Sequence, residues 1–209
     1  MPFDNFIQKL KTELATPLPG KEIQYQMAPS DRDLRYAPPD DLKPPIKAAV
    51  LILIFPDKGK LSTVFIKRTK YPGTHSGQIS FPGGKFEPVD KSLYKTALRE
   101  TCEELGISTE NIKKLGKLTP LYIGVSNFNV FPYVGYINTE LKFRIQKEEV
   151  EHTITENLSI LLNHNIKGEF RIQKNGFDFS APCFHIKESK IWGATAMILN
   201  EFLSICREI

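Results

Sequence analysis

Apolar positions recur along this chain at two periods, and the alternation between them lays out the elements. Phe3, Phe6, Ile7, Leu10 and Leu14 fall three or four residues apart, the spacing of one face of an amphipathic helix. That period breaks over residues 15–46, which hold Pro38-Pro39 and Pro44-Pro45 and read as an extended connector. The run AAVLILIF at 48–55 is uninterrupted and apolar, the pattern of a buried strand over 47–55 and far too short to span a bilayer. A second strand is predicted at 61–68, after the turn residues Pro56-Asp57-Lys58-Gly59. Residues 70–90 read as a glycine-rich loop with a short strand around Gln78 to Phe81. Helical spacing returns over 92–105, where Tyr94, Leu98, Cys102 and Leu105 form a core-facing stripe. Strands are expected near 114–123, 130–138 and 142–146, and a helical stretch over 155–163. Residues 168–187 predict a hairpin turning at Lys174-Asn175-Gly176. A last helix over 190–206 buries Trp192, Ala196, Leu199, Leu203 and Cys206. Strands with interspersed helices predict one α/β domain at 47–209, with residues 1–46 packed on it.

The face of the 92–105 helix opposite its stripe changes this picture. Glu100, Glu103 and Glu104 stand at i, i+3 and i+4, which gathers three carboxylates on one turn. Such faces are ordinarily solvated surface. The alternative is a hard divalent cation between them, which takes oxygen ligands and substrate phosphates. Gly83-Gly84 before the helix, Arg99 beside Glu100 and Gly106 at the helix end favour the second reading.

Composition narrows the partners. The chain has 209 residues, 41% hydrophobic and 25% charged, with a formal net charge of +4 and a sequence pI near 8.8. This mild basicity suits a small polyanion, and the scattered Lys and Arg do not point to nucleic acid. Cys102, Cys183 and Cys206 have no metal or redox spacing and read as reduced core thiols of a cytoplasmic protein. The N-terminal stretch lacks the apolar segment of a signal peptide, and no membrane association is expected. His152, His164 and His185 form no pattern with one another, which argues against a histidine zinc site.

The motif from Gly84 to Ile107 resembles the Nudix box, G-x5-E-x7-R-E-U-x-E-E-x-G-U with U aliphatic. Asp90 replaces the first Glu, the spacer before Arg99 is one residue longer, and Thr101 takes an aliphatic position. This longer form resembles the box of the coenzyme A diphosphatase branch. Upstream, VFIKRTKYPGTHSGQISFPGG (64–84) is similar to the coenzyme A signature: Arg68, Gly77 and Phe81-Pro82-Gly83-Gly84 match, Thr69 replaces Ser, and Gly73 stands where the signature has a second Arg.

The resemblance implies a Nudix fold, a mixed β-sheet sandwiched between α-helices. It implies Mg2+ or Mn2+ held by Glu100, Glu103, Glu104 and the Gly84 carbonyl. It also implies that one of these three glutamates orients the attacking water, with Glu103 and Glu104 as the catalytic candidates, and Glu149 is the candidate general base. Arg99 acts behind the metal face by holding a neighbouring carboxylate. Asp90 either does similar work or caps the helix. Arg68, His75 and Gln78 are the candidate substrate contacts, although each also has an ordinary structural reading. The implied reaction splits coenzyme A or acyl-CoA into 3′-phosphoadenosine 5′-phosphate and 4′-phosphopantetheine. Gly73 leaves open ADP-ribose or another nucleoside diphosphate derivative, and a non-catalytic nucleotide-sensing module is the remaining alternative. A homodimer is left open, since many Nudix hydrolases pair.

Overall fold

The structure, a computed structural model, describes residues 2–30, 44–72, 75–174 and 177–209. Pro38, Pro39, Gly73 and the Asn175-Gly176 turn lie outside these described residues.

The apolar run at 48–55 lies inside β1 (Ile46–Asp57), the central strand of an eight-stranded mixed sheet. On one side β1 pairs antiparallel with β2 (Lys60–Arg68). On the other it runs parallel to β7 (Phe128–Tyr136), in register from Ile46↔Phe128 to Ile54↔Tyr136. β3 (Ile79–Ser80) and β8 (Val150–Asn157) flank β2. β4 (Gly83–Lys85) joins the start of β1, while β5 (Lys113–Lys117) and β6 (Leu121–Ile123) pair with β7. A separate three-stranded sheet comprises β9 (Lys167–Lys174), β10 (Phe177–Ile186) and β11 (Ser189–Trp192).

Both faces of β1 are buried because alternate side chains feed two cores. Ala48, Ile52 and Ile54 join one core with α1 (Phe3–Glu13) and α5 (Gly193–Cys206). Ala49, Leu51, Leu53 and Phe55 join the other with α3 (Leu93–Leu105). The sheet is thus sandwiched between helices. Among the described residues no helix is long and apolar enough to cross a membrane.

Several local expectations are corrected. The connector contains a short helix, α2 (Gly20–Tyr25), anchored through Gln24, whose side-chain amide donates to Glu201 and to the Thr119 carbonyl at 2.8 Å each. Residues 142–146 form no strand. The stretch expected to be helical begins as β8, where β-branched Val150, Thr153, Ile154 and Thr155 favour a strand. Helix follows only over α4 (Leu158–Leu161), capped by Asn157. Trp192 lies on β11, half-buried, and Gly193 turns the chain into α5 with φ +62°.

Cys102 is exposed. The buried face of α3 runs through Ala97, Leu98, Thr101 and Leu105 instead. Thr101 fits there because its hydroxyl donates to the Ala97 carbonyl at 2.6 Å, which removes the cost of burying it.

Candidate active site

The site forms where β4 meets α3. Gly83 has φ +147°, and a Cβ there would collide with the Ala49 carbonyl and with Val50, so only glycine fits. A Cβ on Gly84 would lie 2.5–2.6 Å from the Glu100 carboxylate oxygens. The double glycine thereby brings backbone against two side chains of α3. Glu100 faces Gly84, and the Gly83 N–H donates to Glu104 Oε2 at 2.8 Å.

Glu104 is only 1% exposed. Its Oε1 is buried without a hydrogen-bond partner, and the nearest cation, Arg68 Nη1 from the end of β2, stands 3.5 Å away. Burial pushes this carboxyl up to about 8; the Gly83 N–H and Arg68 oppose the shift, while Glu100 and Glu149 add to it. Burial also raises Glu100, against the pull of Arg99, and Glu103 and Glu149 push the same way as burial.

Arg99 ties the acidic groups together. Its Nε donates to Asp90 Oδ1 at 2.7 Å, and Nη1 lies 3.0 Å from both Glu100 and Glu103. Nη2 reaches the Lys85 carbonyl of β4 at 3.2 Å. Asp90 is buried and also accepts from Thr96 Oγ1 and the Glu87 N–H, each at 2.9 Å. The Arg99 guanidinium, the largest influence, holds Asp90 down at about 2. Asp90 does not cap α3: Ser92 does, accepting from the Lys95 N–H.

Glu149 is exposed and lies just before β8; its carbonyl accepts from the Thr69 N–H at 3.0 Å. His75 and Gln78 lie together on the loop between β2 and β3, 3.1 Å apart. Sequence reasoning missed Ser126, whose hydroxyl is 3.0 Å from His75 Nε2, and Thr96. Neither carries a local signal, because each matters through a partner brought close by the fold.

Among the described residues no three His, Cys, Asp or Glu side chains already stand in a metal-binding arrangement, since Glu103 is drawn to Arg99 and is half-exposed. The donor set nevertheless fits a hard divalent cation. A buried carboxylate oxygen lacks a hydrogen-bond partner, a second carboxylate lies against Gly84, and burial disfavours the charged form of both.

A family model described as the NUDIX domain matches residues 45–171, more than half of the chain. The chain belongs to the Nudix family. Nudix hydrolase NudL of Yersinia pestis, itself uncharacterised, is 36% identical over 160 residues, which cover 74% of this chain and 76% of that protein. A MutT/nudix family protein from Enterococcus faecalis has a similar fold, with a TM-score of 0.50 and 17% identity over 96% of this chain and 73% of that one. The NUDIX domain of Shewanella oneidensis NrtR, solved with ADP-ribose, matches with a TM-score of 0.45 and 18% identity, covering 64% and 85%. This Nudix protein is an enzyme that hydrolyses pyrophosphate bonds.

Proposed function

We propose that this Nudix enzyme splits the diphosphate of coenzyme A or its acyl esters. The observation that carries the site assignment is Glu104: a buried carboxylate with one unpartnered oxygen, pinned by Gly83 and faced by Arg68. Both of those partners belong to the 64–84 stretch that is similar to the coenzyme A signature.

Glu100, Glu103, Glu104 and the Gly84 carbonyl would hold Mg2+ or Mn2+, which when bound supplies neutralising charge for the diphosphate and acidifies a water. Arg68 presents a planar fork suited to a phosphate oxygen. Arg99 and Asp90 keep the carboxylates of α3 in place through the Lys85 and Glu103 contacts. Glu149 is exposed yet close enough to influence Glu100 and Glu104. It takes the proton as water adds to phosphorus and the phosphoanhydride P–O bond breaks. The leaving phosphate carries away the bond's electron pair. Residues 47–209 form the hydrolase domain, and residues 2–30 an appendage docked on it.

Gly73, in place of a second signature arginine, favours a second reading in which the substrate lacks a 3′-phosphate, as ADP-ribose does. Product analysis with coenzyme A, ADP-ribose and diadenosine polyphosphates, each with and without Mg2+, separates the two. Metal-dependent release of 3′-phosphoadenosine 5′-phosphate, faster than turnover of the others, supports coenzyme A. Turnover of ADP-ribose alone discards it while keeping the chemistry.

A further inference from the structure

Both ring nitrogens of His75 are engaged. Nδ1 lies 3.1 Å from Gln78 Oε1, and Nε2 lies 3.0 Å from Ser126 Oγ. A carbonyl oxygen only accepts, so the ring proton sits on Nδ1. Nε2 then carries the lone pair and accepts from the Ser126 hydroxyl. Burial lowers the pKa of the ring, as does Arg68, against the opposing Gln78 hydrogen bond. Each ring nitrogen thus has a partner within the chain, and neither is left to bind a ligand.

What the ring fixes is the Gln78 amide. With Oε1 turned toward His75, the NH2 end points away from the ring, with two donors to offer. Its position follows from strand register. Ile66 pairs with Ser80 and Lys67 with Ile79, and the Arg68 N–H donates to the Gln78 carbonyl at 3.0 Å. Arg68 and Gln78 are thus directly opposed, and opposed residues project to the same face. Arg68 uses that face to reach Glu104, so Gln78 stands on the side of the carboxylate site.

We propose that Ser126 and His75 form a strut that holds the Gln78 amide with its NH2 toward the substrate, beside Arg68. Gln78 donates to a phosphate oxygen; His75 and Ser126 are positioning residues that never touch the ligand. This rests on the reading of the carboxylate site as the place of diphosphate hydrolysis. It gives the short turn between β6 and β7 a share in substrate affinity, although that turn contributes no ligand of its own.

The tautomer of His75 tests the strut without any substrate. The chain has four histidines, so 15N-histidine spectra of the full-length protein are simple, and His75→Asn identifies the signal by its loss. The expected result is a protonated-type shift at Nδ1 and an unprotonated type at Nε2. The reverse would mean that the amide is turned the other way, and would overturn the proposal. Ser126→Ala removes one hydrogen bond of the strut and should release the tautomer. KM for the diphosphate that the enzyme turns over should rise about tenfold, while kcat falls less than about threefold. Ser126→Thr keeps the hydroxyl and should restore KM. An unchanged KM in Ser126→Ala would also overturn the strut. Failure of every tested diphosphate would count against the functional reading, and the tautomer would still decide the strut.

Discussion

Of the buried glutamates among the described residues, Glu104 and Glu201 lie on helices that cover opposite faces of one sheet, and their surroundings differ. Glu201 on α5 is fully buried and met by donors on both oxygens. Thr119 Oγ1 lies at 2.6 Å, Gln24 Nε2 at 2.8 Å, and the backbone N–H groups of Gly20 and Thr119 at 3.2 Å. Glu104 on α3 is buried almost as deeply and has one backbone donor on Oε2, while Oε1 has no hydrogen-bond partner and only the Arg68 guanidinium 3.5 Å away. A buried carboxylate surrounded by donors is a fastener, since its desolvation is offset by hydrogen bonds within the chain. One left incomplete leaves room for a group from outside to complete it. The first ties the short helix α2 to the domain; the second lies at the proposed reaction site.

Exchanging each carboxylate should separate these roles. Glu104→Gln is expected to lower kcat by roughly a thousandfold or more, with a melting temperature no lower than that of the parent protein. Added Mg2+ should raise the parent's melting temperature but not the variant's. Glu100→Gln should lose turnover similarly. Near-normal activity in both would erase the contrast. Glu201→Ala strands several donors at once and should cost about 3 kcal/mol in urea unfolding. Turnover per folded molecule should stay within about threefold of the parent.

Asp90 gives a third case, a buried carboxylate satisfied by a cation. Its pKa is depressed from 3.8 to about 2, so its stabilisation is complete above the unfolded value and drains away as pH falls from 3.8 towards about 2. Asp90→Asn should be less stable than the parent at neutral pH by about 1–2 kcal/mol, and the two unfolding curves should converge in acid. Parallel curves would remove Asp90 from the fasteners. The smallest effect concerns thiols. Cys102 is exposed while Cys183 and Cys206 are buried, and burial pushes the latter two thiols up. One thiol of the three should therefore react quickly with a disulfide reagent in the native state.

What could be read from sequence was whatever is local. The two periods of apolar residues located β1, β2, α1 and α3 to within a few residues, because each pattern lies within one element. The carboxylates of α3 could be grouped because helical spacing is fixed geometry. Their inequality could not be read: Glu103 is half-exposed while Glu104 is sealed, and that depends on β4 lying across the helix. Cys102 and Thr101 exchanged places for the same reason, since helical period locates a stripe only to within one residue. The Glu201–Gln24–Thr119 cluster joins residues 95 and 177 positions apart, and nothing in a linear pattern announces it.

The parallel pairing of β1 with β7 also shapes how the chain reaches its native state. Its partners, such as Ile46 and Phe128, come together only by closing a loop that contains β2, β3, β4 and α3. Such closure carries a large entropic cost before any contact repays it. The double glycine of β4, its place on β1 and the helix above it all lie within that loop and need much shorter closures. The half that carries β4 and α3 can therefore assemble first, and β7 closes onto the other side of β1 afterwards. A slow refolding phase reported by Tyr133 or Tyr136, following earlier protection of α3 amides from hydrogen exchange, would be the kinetic signature of that order.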